Sequence, residues 1–184
     1  RSLQGRTKII LIDSHTFSAG LGYLVQMSAE GIHKGIPIFD IERQIRSILP
    51  SIYTIICPVG LSYLHYNGFV DQSQALINEM LGLFPIFTIE NGKLIPLEKV
   101  KSSRNVIGFF QEFLDEFDQL SMIAIIQSAL PQYQENKILR DNYQREYPTP
   151  YYEHIINLPL SALLGPRTTG MIIIENQSTR KNNV

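Results

Sequence analysis

The sequence predicts an α/β fold, a mixed β-sheet with helices packed on it. Three observations carry that reading. Short apolar runs of buried-strand character alternate with amphipathic segments of helical period. Asn91-Gly92, a strong hairpin signal, joins two strand candidates and adds an antiparallel pair. No linker or internal repeat interrupts the 184 residues, and 44% hydrophobic against 18% charged residues supplies a core for one domain.

The elements follow in order. Ile9, Ile10, Leu11 and Ile12 form an unbroken apolar run, expected of a strand buried on both faces, and Asp13-Ser14 ends it in a turn. A helix should follow with Ser18 as N-cap and Leu21, Leu24, Val25, Ser28 and Ile32 along one face. Gly20 and Gly22 sit in its first turn, where missing side chains permit close approach. Asp40 to Leu49 has helical period and stops at Pro50, and Tyr53 to Val59 is the next strand. Leu61 to Tyr66 reads as a short helix closed by Gly68, and Ser73 to Leu81 as a second, with Leu76, Ile77, Met80 and Leu81 on one side. The hairpin strands flank Glu90-Asn91-Gly92, and Asn105 to Phe117 is amphipathic. Ser121 to Gln127 is a buried strand, Gln134 to Tyr147 a polar helix, Tyr152 to Leu158 a strand, and Met171 to Glu175 the last strand. Leu160 to Gly170 between them is a turn of helix and a glycine-rich loop; residues 176–184 form a polar tail expected to fray.

Composition narrows the function. A formal net charge of −1 gives no general attraction to nucleic acid or anionic membrane. No apolar stretch approaches the roughly 20 residues of a spanning helix. A single cysteine, Cys57, fits a reducing compartment, and a cytoplasmic location is expected. The chain starts at Arg1, which suggests a piece of a longer protein. Its four histidines lie in separate elements without metal-ligand spacing, so no metal site is expected, and Cys57 reads as core. Asp13, Ser14 and His15 hold the residue types of a hydrolase, but neighbours at a strand end point in different directions. Gly165 to Gly170 (GPRTTG) lacks the lysine of a phosphate loop. The junction of the first strand with the helix at Ser18 has two readings: tight packing with Ser18 as a simple cap, or an anionic head group held by free amides and serines.

The order of motifs resembles the C-terminal domain of the DegV family. The carriers are a strand ending IDS followed by S-x-G-L-G, LSYLHYNGF (61–69), LGLFPIFTIENGKLIPLEKVKS (81–102) and LLGPRTTG (163–170). The resemblance covers Lys8 to Glu175 and implies a DegV-like C-terminal α/β domain over residues 1–175, with the N-terminal domain absent from this chain. It also implies a long-chain fatty acid as ligand, bound between the two domains, with no further cofactor, and a fatty-acid kinase as a candidate partner. Phe69 and Phe84 stand where the family has arginine and lysine, Asn67 where it has a glycine, and Leu163 where it has a head-group histidine. Lys101 replaces another arginine, and Arg167 a glycine. Most of these replacements remove charge, which argues against acyl-phosphate chemistry and for a non-catalytic lipid carrier.

On this reading Ser14 and Ser18 lie nearest the head group, and Leu21, Leu24, Met27, Leu64, Leu81, Phe84, Phe87 and Leu163 line the acyl-chain tunnel. Gly20 and Gly165 complete the expected ligand-binding set. The alternatives are a small hydrolase or transferase using Asp13, Ser14 and His15, and a scaffold that has lost the ligand. A face meant for the missing domain should expose an apolar patch through which copies associate.

Overall fold

The structure, a computed structural model, describes residues 9–127, 140–141 and 149–176. Its centre is a six-stranded sheet in the order β3-β2-β1-β6-β4-β5. The strands are β1 (Ile52–Cys57), β2 (Phe84–Glu90), β3 (Lys93–Val100), β4 (Leu120–Gln127), β5 (Tyr151–Ile155) and β6 (Thr169–Glu175). All neighbours are antiparallel except β4 and β5, so the sheet is mixed. The β2–β3 hairpin turns at Asn91 (φ 49°) and Gly92 (φ 73°), two successive left-handed residues that match the strand twist.

Both faces of the central strands are buried, which is why β1, β4 and β6 read as continuous apolar runs. Ile55, Cys57, Ile123, Ile125, Met171 and Ile173 point to one face, where α5 (Ser103–Asp115) covers them with Val106, Ile107, Phe110 and Leu114. Ser102 caps α5, its hydroxyl accepting from the Asn105 amide at 3.2 Å. The alternate residues Ile56, Met122, Ala124, Ile126, Ile172 and Ile174 point the other way. There they meet side chains of α1 (Ser18–His33), α2 (Ile38–Ile48), α3 (Ser62–Tyr66), α4 (Gln72–Leu81) and α6 (Leu158–Leu164). A 3₁₀ turn at Leu49–Ser51 joins α2 to β1.

Several expectations change. Ile9 to Ile12 is not a strand: it pairs with nothing in the sheet, and Ile9 and Leu11 are exposed. The open edges of the sheet belong to β3 and β5, whose side chains are largely exposed, so pairing there would not bury an apolar run. Ser18 is not the N-cap. Phe17 takes that position without a side-chain cap, and Ser18 is the first helical residue in a left-handed conformation (φ 50°). The chain enters α1 through two such residues, His15 (φ 51°) and Ser18, and this tight entry takes the hydroxyl out of capping geometry. β5 ends at Ile155, because Asn157 caps α6 by accepting from the Leu160 amide at 3.1 Å. The Gln134–Tyr147 helix and the tail lie outside the described residues, apart from residues 140–141 and 176.

The largest surprise is α4. A capping box fixes its start, with the Asp71 carboxylate accepting from Gln74 N (2.8 Å) and the Gln74 side chain accepting from Asp71 N (3.2 Å). Gly82 closes it in the left-handed region (φ 60°). Ala75 and Asn78 face inward, so Leu76, Ile77, Met80 and Leu81 face out, all between 57% and 77% exposed.

Candidate functional site

Two grooves flank the sheet face that α1, α3, α4 and α6 cover. The first, about 660 Å³, runs between α1 and the β4–β5 side of the sheet. Ser18, Tyr23, Met27, Met122, Tyr152 and Ile155 line it together with Gln26, Glu30, Ser121, His154 and Asn157. Polar side chains are nearly as frequent as apolar ones there. The second, about 580 Å³, lies between α4 and the β2–β3 hairpin. Eleven apolar residues line it, among them Leu61, Phe69, Ile77, Leu81, Phe87 and Leu97, against four polar ones, Gln74, Asn78, Glu98 and Lys99. Such a size and lining suit a hydrocarbon chain.

The second groove is built where two of the sequence motifs meet. The Asn67 side-chain amide donates to Tyr63 O (2.9 Å) and Ala162 O (3.2 Å), tying the end of α3 to α6. Gly165 lies against the Tyr63 ring: a Cβ there would come within 3.1 Å of it, and its φ of 98° also favours glycine. Thr168, buried in the loop after α6, donates to Leu164 O at 2.8 Å. Behind this frame Leu64, Leu61, Phe87, Ala75 and Leu164 form one core cluster, with Leu163 packed against it. Leu61 and Phe87 belong to both the cluster and the groove wall.

The residues expected at the ligand are therefore not gathered at one place. Leu81 and Phe87 line the second groove, with Leu64 and Leu163 behind it. Ser18 and Met27 line the first groove. Leu24 is buried, Leu21 is 43% exposed on α1, and Phe84 packs on the opposite face of the sheet beneath α5. Phe84 and Phe87 are three residues apart on β2, and the two-residue alternation of a strand sends them to opposite faces despite their shared apolar character. Gly20 serves close packing, since a Cβ there would meet Thr16 Oγ1 at 2.4 Å and Ile52 Cγ2 at 3.3 Å. Sequence reading missed Ile77 and Asn78 as groove residues. The signal available for Asn78 was a single amide inside the apolar stretch ALINEML.

Asp13, Ser14 and His15 do not assemble a nucleophile and base. The Ser14 hydroxyl donates to Thr16 O at 3.2 Å, and the His15 ring pairs with Asp13 at 3.6 Å on the surface. Burial pushes the Cys57 thiol up to about 12, so it stays protonated and inert. Among the described residues no cluster of three or more His, Cys, Asp or Glu stands ready for a metal, and no helix is long and apolar enough to cross a membrane.

Comparison with known proteins gives a consistent pattern. The model of the family described as uncharacterised protein, DegV family, matches residues 2–176. A DegV domain-containing protein of Staphylococcus aureus strain COL, SACOL1460, is 20% identical over 171 residues, covering 91% of this chain and 61% of that protein. The crystal structure of the fatty acid binding DegV family protein SAG1342 of Streptococcus agalactiae superposes with a TM-score of 0.78 at 21% identity, over 91% of this chain and 60% of that one. The Streptococcus pneumoniae Fatty Acid Kinase (Fak) B3 protein, loaded with linoleic acid, gives 0.80 at 16% identity, over 92% and 61%. This chain thus spans about three fifths of the length of these relatives. With the family model matched over almost its whole length and the same fold in its structural neighbours, the chain belongs to the DegV family.

Proposed function

We propose that this chain is the acyl-chain-binding part of a fatty-acid carrier, and that the groove between α4 and the β2–β3 hairpin takes the hydrocarbon tail of a long-chain fatty acid. The observation that carries the reading is the groove's lining, eleven apolar residues to four polar, in a chain of this family. Each methylene buried there contributes about 0.8 kcal/mol, so ten supply about 8 kcal/mol before the costs of association are taken off. The exposed ridge of Leu76, Ile77, Met80 and Leu81 beside the groove supports the further proposal that an N-terminal domain outside this chain closes over it. The relatives have about two fifths of their length beyond the matched region.

The proposed role is carriage without catalysis, because Ser14 has no base and Phe69, Phe84 and Leu163 bring no charge to the family's motif positions. A cytoplasmic setting belongs to the same proposal, on the buried unpaired thiol of Cys57. Native mass spectrometry of freshly purified protein tests the reading. A co-purifying mass of a long-chain fatty acid, lost in Ile77→Asp and Leu81→Asp, is expected. A folded protein that neither carries nor takes up such an acid contradicts it.

A further inference from the structure

The first groove has two walls of different chemistry. On α1, Ser18, Gly22, Gln26 and Glu30 follow one another at intervals of four and form one row along the helix. A second row of Ala19, Tyr23 and Met27 runs beside it. The other wall includes Tyr152 and His154 of β5. Tyr151 packs on the face beneath α5, so strand alternation turns Tyr152 and His154 to the face that α1 covers. Their rings lie within 15° of parallel with centroids 6.4 Å apart, and both residues are exposed, which leaves aromatic faces open to solvent.

Several features of this groove serve no packing purpose. Among the described residues, the hydroxyls of Ser18, Tyr23, Ser121 and Tyr152 and the nitrogens of the His154 ring have no hydrogen-bond or ion-pair partner. Gln26 Nε2 donates to Glu30 Oε1 at 3.3 Å, which holds the carboxylate in the row and leaves the Gln26 oxygen as a second acceptor. Gly22 sits in the middle of that row. A glycine inside a helix costs stability, and whereas Thr16 and Ile52 exclude a side chain at Gly20, nothing lies within 4 Å of a Cβ at Gly22. Its missing side chain keeps the groove open.

We infer that this groove is a second binding site, for an uncharged molecule that joins a flat heterocycle to hydroxyl groups, the chemistry of a nucleoside. The ring stacks on the Tyr152 and His154 wall, as bases stack on aromatic side chains. The hydroxyls donate to Glu30 and Gln26, as a ribose hydroxyl does to the acidic residue of a dinucleotide site. A phosphate is disfavoured, since among the described residues no Lys or Arg lines the groove and the nearby Lys34 is paired with Glu30 at 3.7 Å. The site is independent of the function proposed above: the two grooves share no lining residue.

Equilibrium dialysis of the wild-type chain against adenosine, adenine, ribose and AMP tests this. Adenosine should bind saturably. Adenine, which lacks the hydroxyls, should bind about tenfold more weakly, and ribose, which lacks the ring, at least about fivefold more weakly. AMP should bind less tightly than adenosine, and oleate should leave adenosine binding unchanged. Gly22→Leu, with its fold checked by thermal melt, should fill the groove and abolish adenosine binding. Tyr152→Ala, a truncation at a half-exposed position of the edge strand, should weaken adenosine at least about fivefold and gives a reading that does not depend on Gly22→Leu. No saturable binding of adenosine, binding that survives either substitution unchanged, AMP bound more tightly than adenosine, or adenosine displaced by oleate overturns the inference.

Discussion

Gly20 and Gly22 stand two residues apart in α1, and substitution by alanine should move stability in opposite directions. In a helix interior, Gly→Ala gains about 0.5–1 kcal/mol from backbone entropy and helix propensity. Around Gly22 nothing lies within 4 Å of the added Cβ, so Gly22→Ala should realise that gain. At Gly20 the Cβ would sit 2.4 Å from Thr16 Oγ1, 3.2 Å from Thr16 Cγ2 and 3.3 Å from Ile52 Cγ2. Thr16 must then shift by about 1 Å, and overpacking of this kind costs about 1–3 kcal/mol. The net effect of Gly20→Ala is a loss of about 0.5–2 kcal/mol. For a chain of this length 1 kcal/mol moves Tm by about 2–4 °C, so calorimetry should show Gly22→Ala melting a few degrees higher and Gly20→Ala melting lower. Thr16→Ala should recover most of the loss in the Gly20→Ala background, a non-additivity expected of residues in contact. A rise in Tm for Gly20→Ala, or a double variant no better than the single, would refute the packing argument.

Ser18→Gly should stabilise by up to about 1 kcal/mol by relieving a left-handed serine, while Ser18→Ala should change unfolding free energy by less than about 0.5 kcal/mol because no cap bond is lost. Cys57 holds its proton to about pH 12 when folded, against 9.0 for an ordinary thiol. Above pH 9 the unfolded chain therefore binds fewer protons than the native one; the stability from this group is full below pH 9 and should be lost progressively towards pH 12, as pH-dependent denaturant melts would show. The same burial predicts that a thiol reagent at pH 8 labels Cys57 only after unfolding. Sedimentation should detect self-association through the exposed α4 ridge at high concentration, abolished by Leu76→Lys with Met80→Lys and unchanged by a lysine at exposed Arg104.

The sheet was legible because its signals are local. β1, β4 and β6 are apolar runs that need burial on two faces, and Asn91-Gly92 can do little other than turn a hairpin. The failures come where a tertiary context decides the outcome. Ile9 to Ile12 has the composition of a buried strand, but the two open edges of the sheet, β3 and β5, are largely exposed and would not bury it. The apolar face of α4 follows a helical period correctly, yet whether that face points in or out depends on Ala75, whose small side chain lets the opposite side sit on the sheet. Phe84 and Phe87 share a composition but not a face: their odd spacing on β2 parts them, a consequence of strand alternation. The groove is lined by residues 61–99 alone and backed by the segment 158–170, whose contact through Asn67, Tyr63 and Gly165 no spacing rule announces. Motif order identified the segments; only the structure shows which side chains face one another.

Photo-crosslinking with a long-chain fatty acid that carries a diazirine near the end of its tail tests the central claim most directly. The protein is irradiated with bound ligand, digested, and the modified residues are mapped by mass spectrometry. If the acyl chain lies between α4 and the β2–β3 hairpin, adducts should concentrate on Phe69, Ile77, Leu81, Phe87 and Leu97 and be competed away by unlabelled oleate. Competable adducts on Tyr23, Met27, Met122 and Ile155 instead would place the lipid against α1 and contradict the assignment.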